Sequence, residues 1–201
     1  YILKATGAQR AIIGIESNKP DAVAALREAC PPDQPVSVEV VKVKYPQGAE
    51  KMLIKALLGR EVPSGGLPVD VHVVVQNVAT TAEIGRLLPL GRGILERVIT
   101  ITGPGVEKKG NYMVPIGTPL RYALGQVGLS PEVSWVFLGG PMMGQAVSSL
   151  DIPITKGTSG IVAFTQREKA RTEQKVYACI RCGHCVDACP MFLNPSQLGT
   201  L

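Results

Sequence analysis

Apolar positions along the first half of the chain fall into short runs that alternate between two rhythms. Arg10 to Glu16 (RAIIGIE) is a compact apolar run of strand character, and Asn18-Lys19-Pro20 supplies a turn. DAVAALREA then carries apolar residues at helical spacing, with Pro20 suited to a first helical turn, and PPDQP ends it. VSVEVVKV, Val36 to Val43, is β-branched and bounded by turns, which predicts a strand; AEKMLIKALL predicts a helix stopped by Gly59. After the Gly/Pro-rich VPSGGLP, VDVHVVV reads as another strand, with His72 a packed core residue, and TTAEIGRLL as another helix. Strands alternating with helices at this pace predict a layered α/β unit with a mostly parallel sheet over residues 1–93. The opening YILKATGAQR, without an initiating methionine, reads as the tail of a helix entering a loop at Gly7, as in a piece of a longer chain.

The rhythm changes after that. RVITITG and NYMVPIG are two strand-like runs joined by PGVEKKG, and TPLRYALGQVG reads as a helix with its proline in the first turn. SWVFLGG and SGIVAFT predict two further strands. A hairpin, a helix and more strands imply a small α+β module, residues 94–165, with the helix lying across a sheet. QREKARTEQK is charged and poor in apolar residues, so it reads as a linker opening a last segment, residues 166–201.

Composition narrows the classes. Of the 201 residues 45% are apolar, which argues for a folded chain, and no apolar run approaches the roughly 20 residues that span a bilayer. The net charge of +5 is scattered, and three Phe and five Tyr offer little for bases to stack on, so no nucleic-acid partner is expected. Mild positive charge suits anionic cofactors or acidic redox partners better.

The candidate chemistry sits near the end, in CIRCGHCVDACP. Four of the five cysteines, Cys179, Cys182, Cys185 and Cys189, take the spacing C-x2-C-x2-C-x3-C-P of bacterial ferredoxins, which holds iron-sulfur clusters. Thiols three residues apart drift around a straight helix, so the backbone must curl about the metal centre, and Gly183 relieves that curl. Zinc knuckles instead present two separated C-x2-C pairs. Four thiols leave His184 no need to ligate; it and Arg181 read as solvent-facing charge, with tuning of a cluster as the sharper role. Spacing this tight implies metal binding in a reducing compartment, while the remaining Cys30 reads as a small buried hydrophobe. The turns GPGVEKKG, LGGPMMG and TKGTSG all lack phosphate-loop spacing, and Met142-Met143 reads as a packing plug.

Several stretches together carry a family resemblance: KYPQGAEKMLIKALLGREVPSGGLP, VVVQNVATTAEIG, ITGPGVEKKGNYMVPIGTPL, VFLGGPMMGQAV, PITKGTSGIVAF and CIRCGHCVDACP. In this order they resemble the C subunit of the Rnf complex, the ion-translocating ferredoxin:NAD oxidoreductase of bacteria, which is related to the flavin-bearing NADH-oxidising subunit of respiratory complex I. The cobalamin reductase of propanediol metabolism shares the domain order and is the nearest alternative.

The resemblance implies a fold of α/β plus α+β type. Residues 1–93 become part of a Rossmann-like flavin and nicotinamide domain, 94–165 a β-grasp (SLBB-like) module, and 166–201 the linker and start of a 4Fe-4S ferredoxin-like domain. It implies FMN, NAD(H) and two 4Fe-4S clusters as cofactors. Flavin contacts then fall on Gly48 and Glu50 and on Gln76, Asn77 and Thr80, with Thr80 or Thr81 also able to cap a helix. Cys179, Cys182 and Cys185 hold one cluster and Cys189 reaches toward a second. The implied activity is NAD-linked oxidoreductase: hydride exchanged between NAD(H) and FMN, with single electrons relayed by the clusters and no general acid or base nominated. The implied partners are the other subunits of a membrane electron-transport complex and ferredoxin-type carriers, and the place is the cytoplasmic face of the inner membrane, peripherally bound. The family's glycine-rich flavin loop maps upstream of Tyr1 and a second cysteine run downstream of Leu201, so this stretch by itself is not expected to be catalytically competent. A docking module whose cluster is structural is the contrasting reading.

Overall fold

The structure, a computed structural model, describes residues 1–172, 177–189 and 193–199. Pro190 and the expected linker residues 173–175 lie outside them. The chain forms two compact units, Tyr1–Thr81 with Ala178–Leu201, and Ala82–Tyr177.

The first unit begins with helix α1 (Ile2–Thr6), which ends at Gly7 in a left-handed conformation. Strand β1 (Ala11–Glu16), helix α2 (Pro20–Ala29) and strand β2 (Val36–Val41) follow, and β1 and β2 pair in parallel, with Ile13 opposite Val38. The helix between them is the crossover that a parallel pair requires. The core here is small: Ile15, Val23 and Val38, flanked by Ile13, Leu26 and a half-buried Cys30. Helix α3 (Glu50–Leu58) comes close to β1 because Gly14 has no side chain; a Cβ there would stand 2.9 Å from Leu53 Cδ1 and 3.1 Å from Leu57 Cδ1. Gly59, left-handed at φ 68°, stops the helix by donating its N–H to the Lys55 carbonyl.

Two expectations for this unit are overturned. VDVHVVV is not a strand: Pro68–Val71 is a single 3-10 turn, closed by the Asp70 carboxylate accepting the Leu67 N–H at 2.9 Å. Arg60 Nη1 takes the Val71 carbonyl, and the N–H groups of His72 and Val73 bond back to Val69 and Pro68. With these backbone groups bound locally, the segment cannot offer them to a ladder. His72 is accordingly exposed, with left-handed φ of 56°, and is no core residue. Helix α4 (Val78–Leu87) follows, its residues from Ala82 onward belonging to the second unit, and begins ahead of Thr80, where the pattern TTAEIGRLL places its start.

The second unit holds a five-stranded mixed sheet: β3 (Glu96–Thr102), β4 (Gly110–Pro115), β5 (Val133–Leu138), β6 (Gln145–Ala146) and β7 (Gly160–Thr165), in spatial order β4-β3-β7-β5-β6. Only β3 and β7 run parallel. Helix α5 (Leu120–Val127) lays Leu120, Ala123, Leu124 and Val127 on one face of the sheet, against Ile99, Ile101, Val114, Val136, Ile161 and Ala163. Pro119 is the N-cap of α5 and not in its first turn. This is the β-grasp arrangement, and strand alternation explains its core: Ile99 and Ile101 are buried while Val98 and Thr100 face outward. Gly103, at φ 113°, lets the chain cross β7; a Cβ there would lie 2.2 Å from the Ala163 carbonyl oxygen. Met142 and Met143 are 70% and 77% exposed, so the tight turn that ends with Gly144 donating to the Gly140 carbonyl turns them outward and they plug nothing.

The expected linker is also corrected. Gln166–Thr172 is helix α6, following β7 directly. Glu168 accepts from both the N–H and the hydroxyl of Thr165, Ser134 donates to Gln166, and Lys169 Nζ stands 5.5 Å from the centre of the Trp135 ring. The helix is fixed by capping and polar contacts, so it needs no apolar stripe. A 3-10 turn, Leu88–Leu90, follows α4, and helices α7 (His184–Ala188) and α8 (Pro195–Leu198) lie in the last segment. Among the described residues no helix is long and apolar enough to cross a membrane.

Candidate cofactor sites

The cysteine loop is shaped by two closely spaced reversals. Arg181 has φ 56° and Gly183 φ 81°, both left-handed, and α7 starts at once after the second. Two left-handed residues within three positions turn the backbone sharply on either side of Cys182. The Arg181 N–H donates to Cys179 Sγ at 3.4 Å, and the Cys189 N–H to the Val186 carbonyl. Cys179, Cys182 and Cys185 are exposed and Cys189 is half-buried. Among the described residues no three His, Cys, Asp or Glu side chains come together as a metal-holding group. Gathering thiolates concentrates negative charge, so their convergence is coupled to taking up the metal. The donor set nevertheless fits an iron-sulfur centre: soft thiols only, on a loop already reversed twice, with an amide N–H directed at a sulfur. His184 is exposed at the first residue of α7.

The expected flavin contacts occupy two helix starts. Gly48 and Glu50 lie at the beginning of α3; both are exposed, and nothing stands within 4 Å of a Cβ built on Gly48. Among the described residues no side chain caps α3, which leaves its first amides able to meet an anionic or carbonyl group. Glu50 in the first turn already complements the helix dipole. Beside Gly48, Gln47 is only 3% exposed, and its Oε1 has no hydrogen-bond partner among the described residues. Its one signal in the sequence is a polar residue lodged between Pro46 and Gly48 ahead of a helix, which hydrophobic patterning passes over.

Gln76, Asn77 and Thr80 stand at the start of α4. Asn77 Oδ1 accepts the N–H groups of Ala79 at 3.0 Å and Thr80 at 3.4 Å, so Asn77 is the cap of this helix, and neither Thr80 nor Thr81 is. Gln76 is exposed and Thr80 half-buried. Further along α4, Glu83 is buried and paired with Arg86 at 2.7 Å, which also reaches Glu96 at 3.0 Å. The Glu83 carboxylate, accepting from Arg86, holds the guanidinium above its ordinary pKa. Within the second unit, this pairing ties the later part of α4 to β3.

Three family models match in succession: the Nuo51 FMN-binding domain over residues 1–86, the SLBB domain over 98–146, and a 4Fe-4S dicluster domain over 152–194. Among curated proteins, the C subunit of the proton-translocating ferredoxin:NAD(+) oxidoreductase complex of Clostridium ljungdahlii is 47% identical over all 201 residues, which is 43% of that relative. The C subunit of the Na(+)-translocating ferredoxin:NAD(+) oxidoreductase complex of Acetobacterium woodii is 43% identical over 98% of this chain and 44% of its own length. Its counterpart in the ion-translocating oxidoreductase complex of Vibrio cholerae is 43% identical over 93% of this chain and 24% of its own. The chain thus spans less than half the length of these curated relatives. Among solved structures, an NAD+-reducing NiFe-hydrogenase in its H2-reduced state shares the fold, with TM-score 0.66 and 20% identity over 82% of this chain and 34% of the hydrogenase chain. Over its whole length, then, the chain belongs to the family of C subunits of the Rnf-type ion-translocating ferredoxin:NAD oxidoreductases, with its first part related to the flavin-bearing subunit of complex I.

Proposed function

We propose that this chain forms the flavin-proximal and cluster-entry portion of the electron-transfer subunit of a membrane-associated, ion-translocating ferredoxin:NAD oxidoreductase. The observation that carries the reading is the cysteine run itself, four thiols in ferredoxin spacing on a loop reversed at Arg181 and Gly183. The proposed domain limits are 1–93 for the flavin and nicotinamide part, 94–165 for the β-grasp module and 166–201 for the start of the ferredoxin-like part; the three family matches support that order.

When bound, FMN supplies the step between two-electron hydride exchange with NAD(H) and one-electron exchange with a 4Fe-4S cluster. Toward the flavin, the uncapped first amides of α3 beside Gly48 offer donors to a phosphate or ring carbonyl. Gln76, the amide nitrogen of Asn77 and the Thr80 hydroxyl offer hydrogen bonds at the start of α4. Cys179, Cys182 and Cys185 supply three thiolates to one cluster, and Cys189 supplies one toward a second. A relay of this kind asks for no general acid or base, and we assign that role to no residue. As part of such a complex the chain sits peripherally, and we assign it to the cytoplasmic face of the inner membrane, where NAD(H) and ferredoxin are at hand.

The test is iron and acid-labile sulfide per chain after anaerobic purification, with EPR spectra before and after dithionite and flavin retention measured on the full-length subunit. Sulfide with a reducible cubane signal is the expected result. Zinc without sulfide, or a cluster that dithionite cannot reduce, overturns the relay.

A further inference from the structure

Arg181 and His72 are the two non-glycine residues with positive φ among the described residues, and they differ in what their amides do. The His72 N–H returns to the Val69 carbonyl, closing an ordinary 3-10 turn. The Arg181 N–H is directed at a cysteine sulfur, 3.4 Å away. An arginine in the left-handed region is disfavoured by its Cβ, and Arg181 lies outside any helix or strand whose hydrogen bonds would compensate it. We propose that Arg181 is a positioning residue of the cluster loop: its left-handed backbone, and not its guanidinium, keeps the Arg181 N–H on the Cys179 sulfur.

Loop closure is the physical reason. The peptide plane carrying that N–H is held on one side by ψ of Ile180 and on the other by φ of Arg181. With Cys179 and Cys182 both pinned to one centre, the two dihedrals are coupled, so a residue that resists the left-handed region swings the plane and lengthens the N–H to sulfur contact. Hydrogen bonds to cluster sulfur stabilise the more negative, reduced state, so losing one lowers the midpoint potential and loosens the ligand. Gly183 cannot substitute, because it makes the second reversal, after Cys182.

The inference rests on Cys179 being a cluster ligand, and the experiment separates the two. In the full-length subunit, Arg181→Lys keeps the charge, whereas Arg181→Gly and Arg181→Val both remove it and differ in access to the left-handed region. The readouts are iron and sulfide content, the rate of iron release to a chelator, and the midpoint potential from an EPR-monitored titration. The expected result is that the lysine variant matches wild type, the glycine variant holds its cluster at least as firmly, and the valine variant shows a lower potential and faster iron release than glycine. If valine abolishes the cluster, Arg181→Ala, intermediate in cost, takes its place in the comparison. Equal potentials and equal release rates for glycine and valine, or a lysine variant that departs from wild type, overturn the inference while leaving the cluster in place. Wild-type protein without iron and sulfide overturns the cluster reading itself.

Discussion

Asn77 illustrates how one side chain can hold two roles that a sequence pattern does not separate. Its Oδ1 caps α4 through Ala79 and Thr80, which leaves its amide nitrogen as the group able to donate to a ligand. Substituting Asn77→Ala removes both functions and is expected to cost about 1 kcal/mol of stability, read from urea denaturation, because N-cap loss is typically of that size. Asn77→Asp keeps a good cap and removes only the donor, adding a negative charge. Its stability in the flavin-free protein should match wild type, while FMN retention on gel filtration should fall. Unchanged retention in the aspartate variant would remove Asn77 from the flavin site. Gln47 carries the complementary lesson: its burial with an unpartnered oxygen depends on how the turn before α3 folds against its surroundings, and the string KYPQGAEK does not encode that.

Among the elements, those legible from the chain are those whose signal is local and apolar: β1 and β2 from β-branched runs, α3 from its spacing and Gly59, β3 and β4 from paired runs about a turn. The misread ones are decided by polar side chains. VDVHVVV alternates like a strand, yet Pro68 and Asp70 close a 3-10 turn and Arg60 takes a carbonyl that a ladder needs. QREKART lacks an apolar stripe, yet Thr165 and Glu168 stand in capping-box spacing at its start, a signal legible in the sequence once boundaries are sought before stripes. That contact has a pH signature. The hydrogen bond from the Thr165 hydroxyl, ahead of any opposing burial, holds the Glu168 carboxyl below its ordinary pKa. A lowered folded value means that the stabilisation is present above the unfolded value of about 4.3, and is lost as the pH falls through the lower folded one. In thermal melts from roughly pH 7 down to 3, Glu168→Gln should melt below wild type at neutral pH and converge on it in acid. A constant gap at all pH values would show that the carboxylate charge is not what holds the start of α6.

At the scale of the molecule, the two units differ sharply in what holds them. The second unit buries Ile99, Ile101, Leu120, Leu124, Ile154 and Ile161 almost completely, in one continuous cluster shared by α5 and the sheet. Among its described residues the first unit gathers Ile15, Val23 and Val38 into one small cluster, buries Val41 and Ile54 apart from it, and leaves Val40, Val43, Val69 and Val74 about half exposed. Burial of apolar surface is the main favourable term in folding, so the two units should not share one stability. Amide hydrogen exchange is therefore expected to be fastest in β1 and β2 and slowest in β3 and β7. Leu124→Ala, which empties a site of 0% exposure at the centre of the larger core, should cost about 2–5 kcal/mol. That loss should accelerate exchange in β3, β5 and β7 and leave the rates in β1 and β2 where they were, since those strands already open more easily than the unit that was weakened. A single rate shared by both sheets, moved uniformly by the substitution, would instead mean that the β-grasp core and the small βαβ core unfold as one cooperative body.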